Sequence, residues 1–298
     1  MEYSWPYRFI LTLSEEEILN RRELLDLRGS YAQWSIIAVI IVLRVYQGWA
    51  QSVSATEITS KQRRGPASWW DRPIAAGWLE TRRQYALCGL WLLWLISLSV
   101  WKSGDDYMHL TKALSHVALS QIPLQVLMSP AAYISTSKPS ASSIFSFVTS
   151  IPQATVTPYH RLFGRMVISP LLLGHATLYL LFFVQLSHPE FGSLLNKRVR
   201  DLDVQCGLFA ISMVISLVLY LRPRGAAPKG GTQRRSVAGS MQEQRRSFYY
   251  GHISLVMLLC LAAYYHVVHA QKYMIQALGA FLVNGAFSWA IVRWGGHK

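Results

Sequence analysis

Four of the nine histidines in this chain fall into two pairs inside apolar runs. The string YHRLFGRMVISPLLLGH sets His160 and His175 fifteen residues apart, and GHISLVMLLCLAAYYH sets His252 and His266 fourteen apart. At 1.5 Å rise per residue, an α-helix separates the members of each pair by roughly 21–22 Å, so each helix would hold one imidazole near each face of a bilayer. One apolar run lies between the two strings, so as membrane spans they point the same way. His160 is then level with His252, and His175 with His266. Two neutral imidazoles facing each other at one depth form the donor set of a bis-imidazole clamp on haem iron. Two such levels would stack two haems across the membrane, and with both axial positions filled the expected chemistry is outer-sphere electron transfer.

Azimuth constrains this reading. Fourteen steps of a regular helix return to within about −40° of the starting face, so His252 and His266 share a face. Fifteen steps leave about +60°, but Pro170, five residues before His175, removes a backbone donor and permits a kink or one wide turn that absorbs the extra residue. His269 is a competing outer ligand that is turned about −100° from His252. His116 has no partner at matched depth and reads as structural, while His109, His188 and His297 read as loop or terminal residues. Taken singly, an intramembrane histidine is also explained as a helix–helix hydrogen-bonding group or a proton relay. Arg161 and Arg165 follow His160 at the cytosolic end of the same span. Their guanidinium groups suit haem propionates, or equally serve as interfacial anchors.

The elements that must position these residues are membrane helices. With 52% hydrophobic and 15% charged residues over 298 positions, the chain lacks the surface charge of a soluble protein. Apolar stretches near 20 residues recur at about 31–50, 84–101, 108–128, 161–186, 203–221, 249–269 and 273–293, which predicts an all-α polytopic bundle of about seven spans. The third is interrupted by Lys112, His116, Ser120, Gln121 and Pro123, and reads as a broken or partly interfacial helix. Arg44 in the first span must lie near a helix end or face the bundle. The net charge of +14 sits mostly between spans, where it sets orientation rather than marking a nucleic-acid binder. Sixteen basic residues on one side against nine on the other place the C-terminus in the cytosol and the N-terminus outside. The segment 222–248, rich in Gly, Ser, Gln and Arg without apolar periodicity, reads as a basic flexible loop. Cys88, Cys206 and Cys260 have no metal-binding or disulfide spacing and read as small hydrophobes. No removable signal peptide is expected in 1–30, and the first span would act as the targeting signal.

YHRLFGR with the apolar run into GHATLYLLFF, the upstream ALSQIPLQVL and the later FYYGHISLVMLLCLAAYYHV resemble the ferric reductase transmembrane domain of fungal iron and copper reductases and NADPH oxidases. The resemblance covers about residues 84–293, preceded by a segment 1–30 and by the first span with its basic loop (31–83), and followed by a tail at 294–298. It implies two b-type haems ligated by His160 with His252 and by His175 with His266, although the family's spacing in the earlier helix is usually one residue shorter. Full-length members continue into cytosolic FAD- and NADPH-binding domains. Neither their flavin motif nor GxGxxG occurs here, so the resemblance implies a separate cytosolic flavoprotein as donor and an external acceptor such as Fe(III), Cu(II), oxygen or a small organic molecule. The alternative expectation is a non-catalytic or degenerate membrane subunit that partners a complete reductase or oxidase, in the plasma membrane or an endomembrane. A third expectation is a transporter with proton-relaying or metal-binding histidines.

Overall fold

A computed structural model describes residues 7–8, 10, 13–56, 68–75, 80–129, 142–219 and 234–295. It is built from eleven α-helices among those residues: α1 (Glu15–Thr56), α2 (Arg82–Val100), α3 (Tyr107–Ser120), α4 (Ile122–Leu127), α5 (Ile144–Thr149), α6 (Gln153–Phe163), α7 (Ser169–Gln185), α8 (Leu194–Arg198), α9 (Leu202–Leu219), α10 (Arg234–His266) and α11 (Gln271–Gly295). The only sheet among them is a two-residue hairpin pairing Ser187–His188 with Gly192–Ser193. Six stretches are long and apolar enough to cross a bilayer: Glu15–Ala50, Arg82–Val100, Gln153–Gln185, Leu202–Leu219, Arg246–His266 and Val268–Ile291. The protein is an all-α, multi-pass integral membrane protein.

The interrupted third run forms the axis of the bundle. Helix α3 is nearly all buried, with Thr111, Ala113, Val117 and Ala118 fully enclosed, and it packs on α1, α2 and α7. It breaks at Gln121 because Pro123 cannot donate to the helical ladder, and α4 continues with that proline in its first turn. The outer helices present Ile41, Val42, Leu90, Leu93, Leu282 and Val283, all more than half exposed, to the lipid side. Local signals fix the ends. Thr81 and Gln84 make a capping box at the start of α2, and Asp106 Oδ1 accepts from His109 N at 3.2 Å at the start of α3. Buried Asn284 on α11 donates to Val126 O (3.2 Å) and Ser129 O (3.0 Å) and accepts from Ile144 N (2.9 Å), fastening the ends of α4 and α5. Arg44 reaches Ser150 Oγ, so its charge faces the bundle.

Three expectations change. The loop expected over 222–248 is shorter, since α10 already begins at Arg234. The residues from there to Ser247 are largely good helix formers that need no apolar face once the helix projects beyond the bilayer. Residues 220–233 lie outside the described ones, as do the basic positions Lys61, Arg63, Arg64 and Lys138 used for orientation, and His297. His109 belongs to the first turn of α3 and is buried, not in a loop. Its position beside polar loop residues hid the start of a helix whose cap is Asp106. Finally, α1 starts at Glu15, well before the apolar run, where three glutamates favourably oppose the positive end of the helix dipole.

Candidate functional site

The earlier histidine helix is continuous from Gln153 to Gln185 but contains one turn of π-helix, Gly164–Ile168, between α6 and α7. Within it, Ser169 N–H reaches back five residues to Gly164 O, and Ser169 Oγ also donates to that oxygen at 2.7 Å. Pro170 follows directly and has no N–H to restore the regular ladder. The wide turn absorbs one residue, so the fifteen-step separation of His160 and His175 behaves as fourteen and matches that of His252 and His266 on α10.

With the two helices in register, the rings meet in pairs. His160 and His252 have ring centres 6.3 Å apart and planes at 76°, and His175 and His266 are 6.5 Å apart at 63°. A metal–imidazole bond of about 2.0–2.1 Å, with the ring centre roughly 1.1 Å behind the nitrogen, puts the centres of two opposed ligands about 6.3 Å apart. Both pairs have the separation of two imidazoles sharing one metal.

Three of the four rings are locked by backbone carbonyls. His160 Nδ1 donates to Gln125 O at 2.9 Å, His175 Nδ1 to Thr111 O at 2.8 Å, and His266 Nδ1 to Asp203 O at 2.5 Å. A carbonyl can only accept, so each Nδ1 carries the proton and each Nε2 keeps its lone pair. Gln125 lies in the last turn of α4, where carbonyls lack helical partners, so breaking the third run supplies the acceptor that orients His160. The Gln125 side chain also donates back to His160 O at 2.8 Å. A Cβ added at Gly164 would sit 2.9 Å from that amide, so the glycine leaves room for it. At the other level a Cβ at Gly207 would lie 2.6 Å from His266 Cε1, which is why His266 can reach the carbonyl of Asp203 one turn earlier. His252 is braced by Phe248, whose ring stacks on it at 5.7 Å and 15°.

The surroundings are apolar. On the two histidine helices Val156, Leu162, Phe163, Val167, Leu171, Leu259 and Ala263 all belong to the buried hydrophobic core. No cluster of three or more His, Cys, Asp or Glu occurs among the described residues. A bare transition-metal ion asks for three or four protein ligands, whereas each pair offers two, which suits a metal whose other positions are filled by a macrocycle. The residues therefore fit haem, by spacing, tautomer and apolar surroundings.

The remaining expected residues find other neighbours. Arg161 Nε is 3.5 Å from Glu80 Oε1, and Arg165 donates to the Tyr85 hydroxyl at 2.8 Å, so both lie near the His160 level with protein partners. His116 is structural: its Nε2 is 2.9 Å from the Tyr273 hydroxyl and 3.3 Å from Asp26 Oδ1. His269 lies in the short turn Val268–Ala270, past the ring that faces His175. Cys88 is a buried free thiol, and Cys206 and Cys260 are half-buried and free. Gln125, Thr111, Asp203 and Gly207 were not singled out from sequence. Three of them act through backbone atoms that any residue carries, and only Gly207, a lone glycine inside an apolar run, left a visible signal.

No curated protein and no solved structure matches the chain. The family model described as ferric reductase like transmembrane component matches residues 114–263, half of the chain, taking in His160, His175 and His252 and ending three residues short of His266. A membrane bundle with two levels of facing histidines, matched over that length, belongs to the ferric reductase like transmembrane component family.

Proposed function

We propose that this chain is a transmembrane electron conduit in which His160 with His252, and His175 with His266, hold two b-type haems. When bound, the two haems would supply one-electron carriers at two depths of the bilayer. The observation that carries the reading is the paired ring separations of 6.3 and 6.5 Å, reached only because the π-turn brings both histidines of one helix onto the face opposite α10. The four imidazoles bind through Nε2, and the carbonyls of Gln125, Thr111 and Asp203 fix three of them in the required tautomer. Each pair would hold its haem with two neutral imidazoles, a donor set that favours electron transfer over substrate binding at iron. Arg161 and Arg165 suit propionate carboxylates at the inner level, Arg161 by sharing its charge between Glu80 and the ligand. The buried aliphatic residues on the two histidine helices, Leu162, Val167, Leu171 and Leu259 among them, keep the local dielectric low.

Electrons would enter at the cytosolic level from a flavoprotein module carrying FAD and NADPH. They would leave at the outer level to Fe(III), Cu(II), oxygen or a small organic acceptor. The test is flux: purified protein is placed in vesicles enclosing ferricyanide, and dithionite is added outside. The full chain should speed loss of the enclosed oxidant well above empty vesicles, and His175→Leu or His252→Leu should return the rate to background. Equal rates with and without protein would end the conduit reading and leave a non-catalytic subunit.

A further inference from the structure

Helix α3 carries a second pair of buried histidines, His109 and His116, seven residues apart and so on one face. This face is turned about 160° from Tyr107, whose hydroxyl donates to Leu178 O on α7, and it looks toward α1 rather than the paired imidazoles. His116 is partnered at Nε2 by Tyr273 and Asp26, with Lys272 Nζ bonded in turn to Asp26 at 2.6 Å. His109 is not. It is 3% exposed, yet neither ring nitrogen has a hydrogen-bond partner. Beside it lies Arg28 of α1, with no exposed surface at all. One Arg28 nitrogen donates to Trp101 O, and both Nε and Nη1 are left without a partner.

The local carboxylate is already committed. Asp106 caps α3 through Oδ1 and forms an ion pair with Arg21 through Oδ2, which itself has no hydrogen bond, and among the described residues no acidic group forms an ion pair with Arg28. Both Arg21 and Arg28 act electrostatically on His109, so the surplus at this spot is positive. A buried guanidinium with no counter-charge and open donors is strongly disfavoured unless something negative is enclosed with it. The turn from Trp101 to Asp106 closes over the place, bent by left-handed backbone at Lys102 (φ 55°) and Gly104 (φ 60°), with Ser103 and Asp106 buried beneath it. With Arg28 and His109 both enclosed, only an ion of one to a few heavy atoms could be held with them.

We propose that Arg28 and His109 bind a small monovalent anion, a halide or a compact carboxylate, between α1 and α3 under the 101–106 turn. The site is separate from the histidine pairs and does not depend on the haem reading. Equilibrium binding of radiolabelled chloride, and in a second arm radiolabelled formate, to the purified full-length protein tests it. One saturable site per chain is expected, displaced by the unlabelled ion but not by inorganic phosphate, and the stronger arm tells halide from carboxylate. Arg28→Gln should weaken binding by about tenfold or more and His109→Leu by a smaller factor. If Arg28→Gln does not purify as a monodisperse protein, His109→Leu decides, because leucine is close to histidine in size, favours helix and adds no polar group to be satisfied. Absence of saturable binding in both arms overturns the proposal, as does unchanged affinity in His109→Leu and in any well-folded Arg28→Gln protein.

Discussion

The chemistry of this molecule at the residue scale is set by what holds each imidazole, and the holders are mostly backbone oxygens. That division explains what could be read from sequence. The four histidines were legible as types at a spacing, and the structure brings the expected partners together. The carbonyls of Thr111, Gln125 and Asp203 were not, because a carbonyl has no side-chain signature. Gly207 gives the sharpest handle. In Gly207→Ala the added Cβ meets His266, so the ring should lose Asp203 O, with about 1–3 kcal/mol of destabilisation from overpacking. The expected readout is a changed signal of the outer level alone in redox-titrated spectra, with the inner level unaltered. Away from the site, Tyr273→Phe strips the buried His116 of a 2.9 Å partner, and a loss of about 1–3 kcal/mol in stability is expected in thermal unfolding.

Among elements, the decisive one is the single π-turn at Gly164–Ile168. Sequence showed that fifteen residues were one too many and that Pro170 permitted relief, but the width and position of the turn depend on packing against α2 and α3 and on Ser169 closing onto Gly164 O. Deleting Met166 should collapse the bulge to regular helix while keeping His175 on its face, so both levels should keep their spectra. Inserting one alanine after Leu172 has no such outlet and rotates His175 by about 100°. That protein should keep the inner level and lose the outer one, and a haem content unchanged from the parent would refute the role given to the turn. The broken α3–α4 run was visible as a composition anomaly, yet its place at the bundle centre was not. Polar residues usually argue against burial, and here Ser120 and Thr111 are buried because their hydroxyls donate to carbonyls of α3 itself, and Gln121 because Trp91 of α2 and Ser120 satisfy its amide. The basic residues from Arg234 to Ser247 were misjudged for the opposite reason, since helix propensity without amphipathicity resembles a loop.

For the whole molecule, the bundle is all-α and polytopic as composition required, and the described residues comprise six membrane-length stretches and one rod broken at Gln121. Orientation rests on the basic loops, and it predicts that a membrane-impermeant maleimide will label a cysteine at position 190 in intact cells but one at position 230 only after permeabilisation. The reverse pattern would invert the direction of electron flow and leave the pairing untouched. The pairing itself is tested most directly by a reduced-minus-oxidised spectrum with pyridine haemochrome quantification on the purified full-length chain. Two b-type haems per chain are predicted, falling to about one in His160→Leu or His266→Leu because each pair is an independent clamp. A colourless protein, or haem content indifferent to all four histidines, would contradict it.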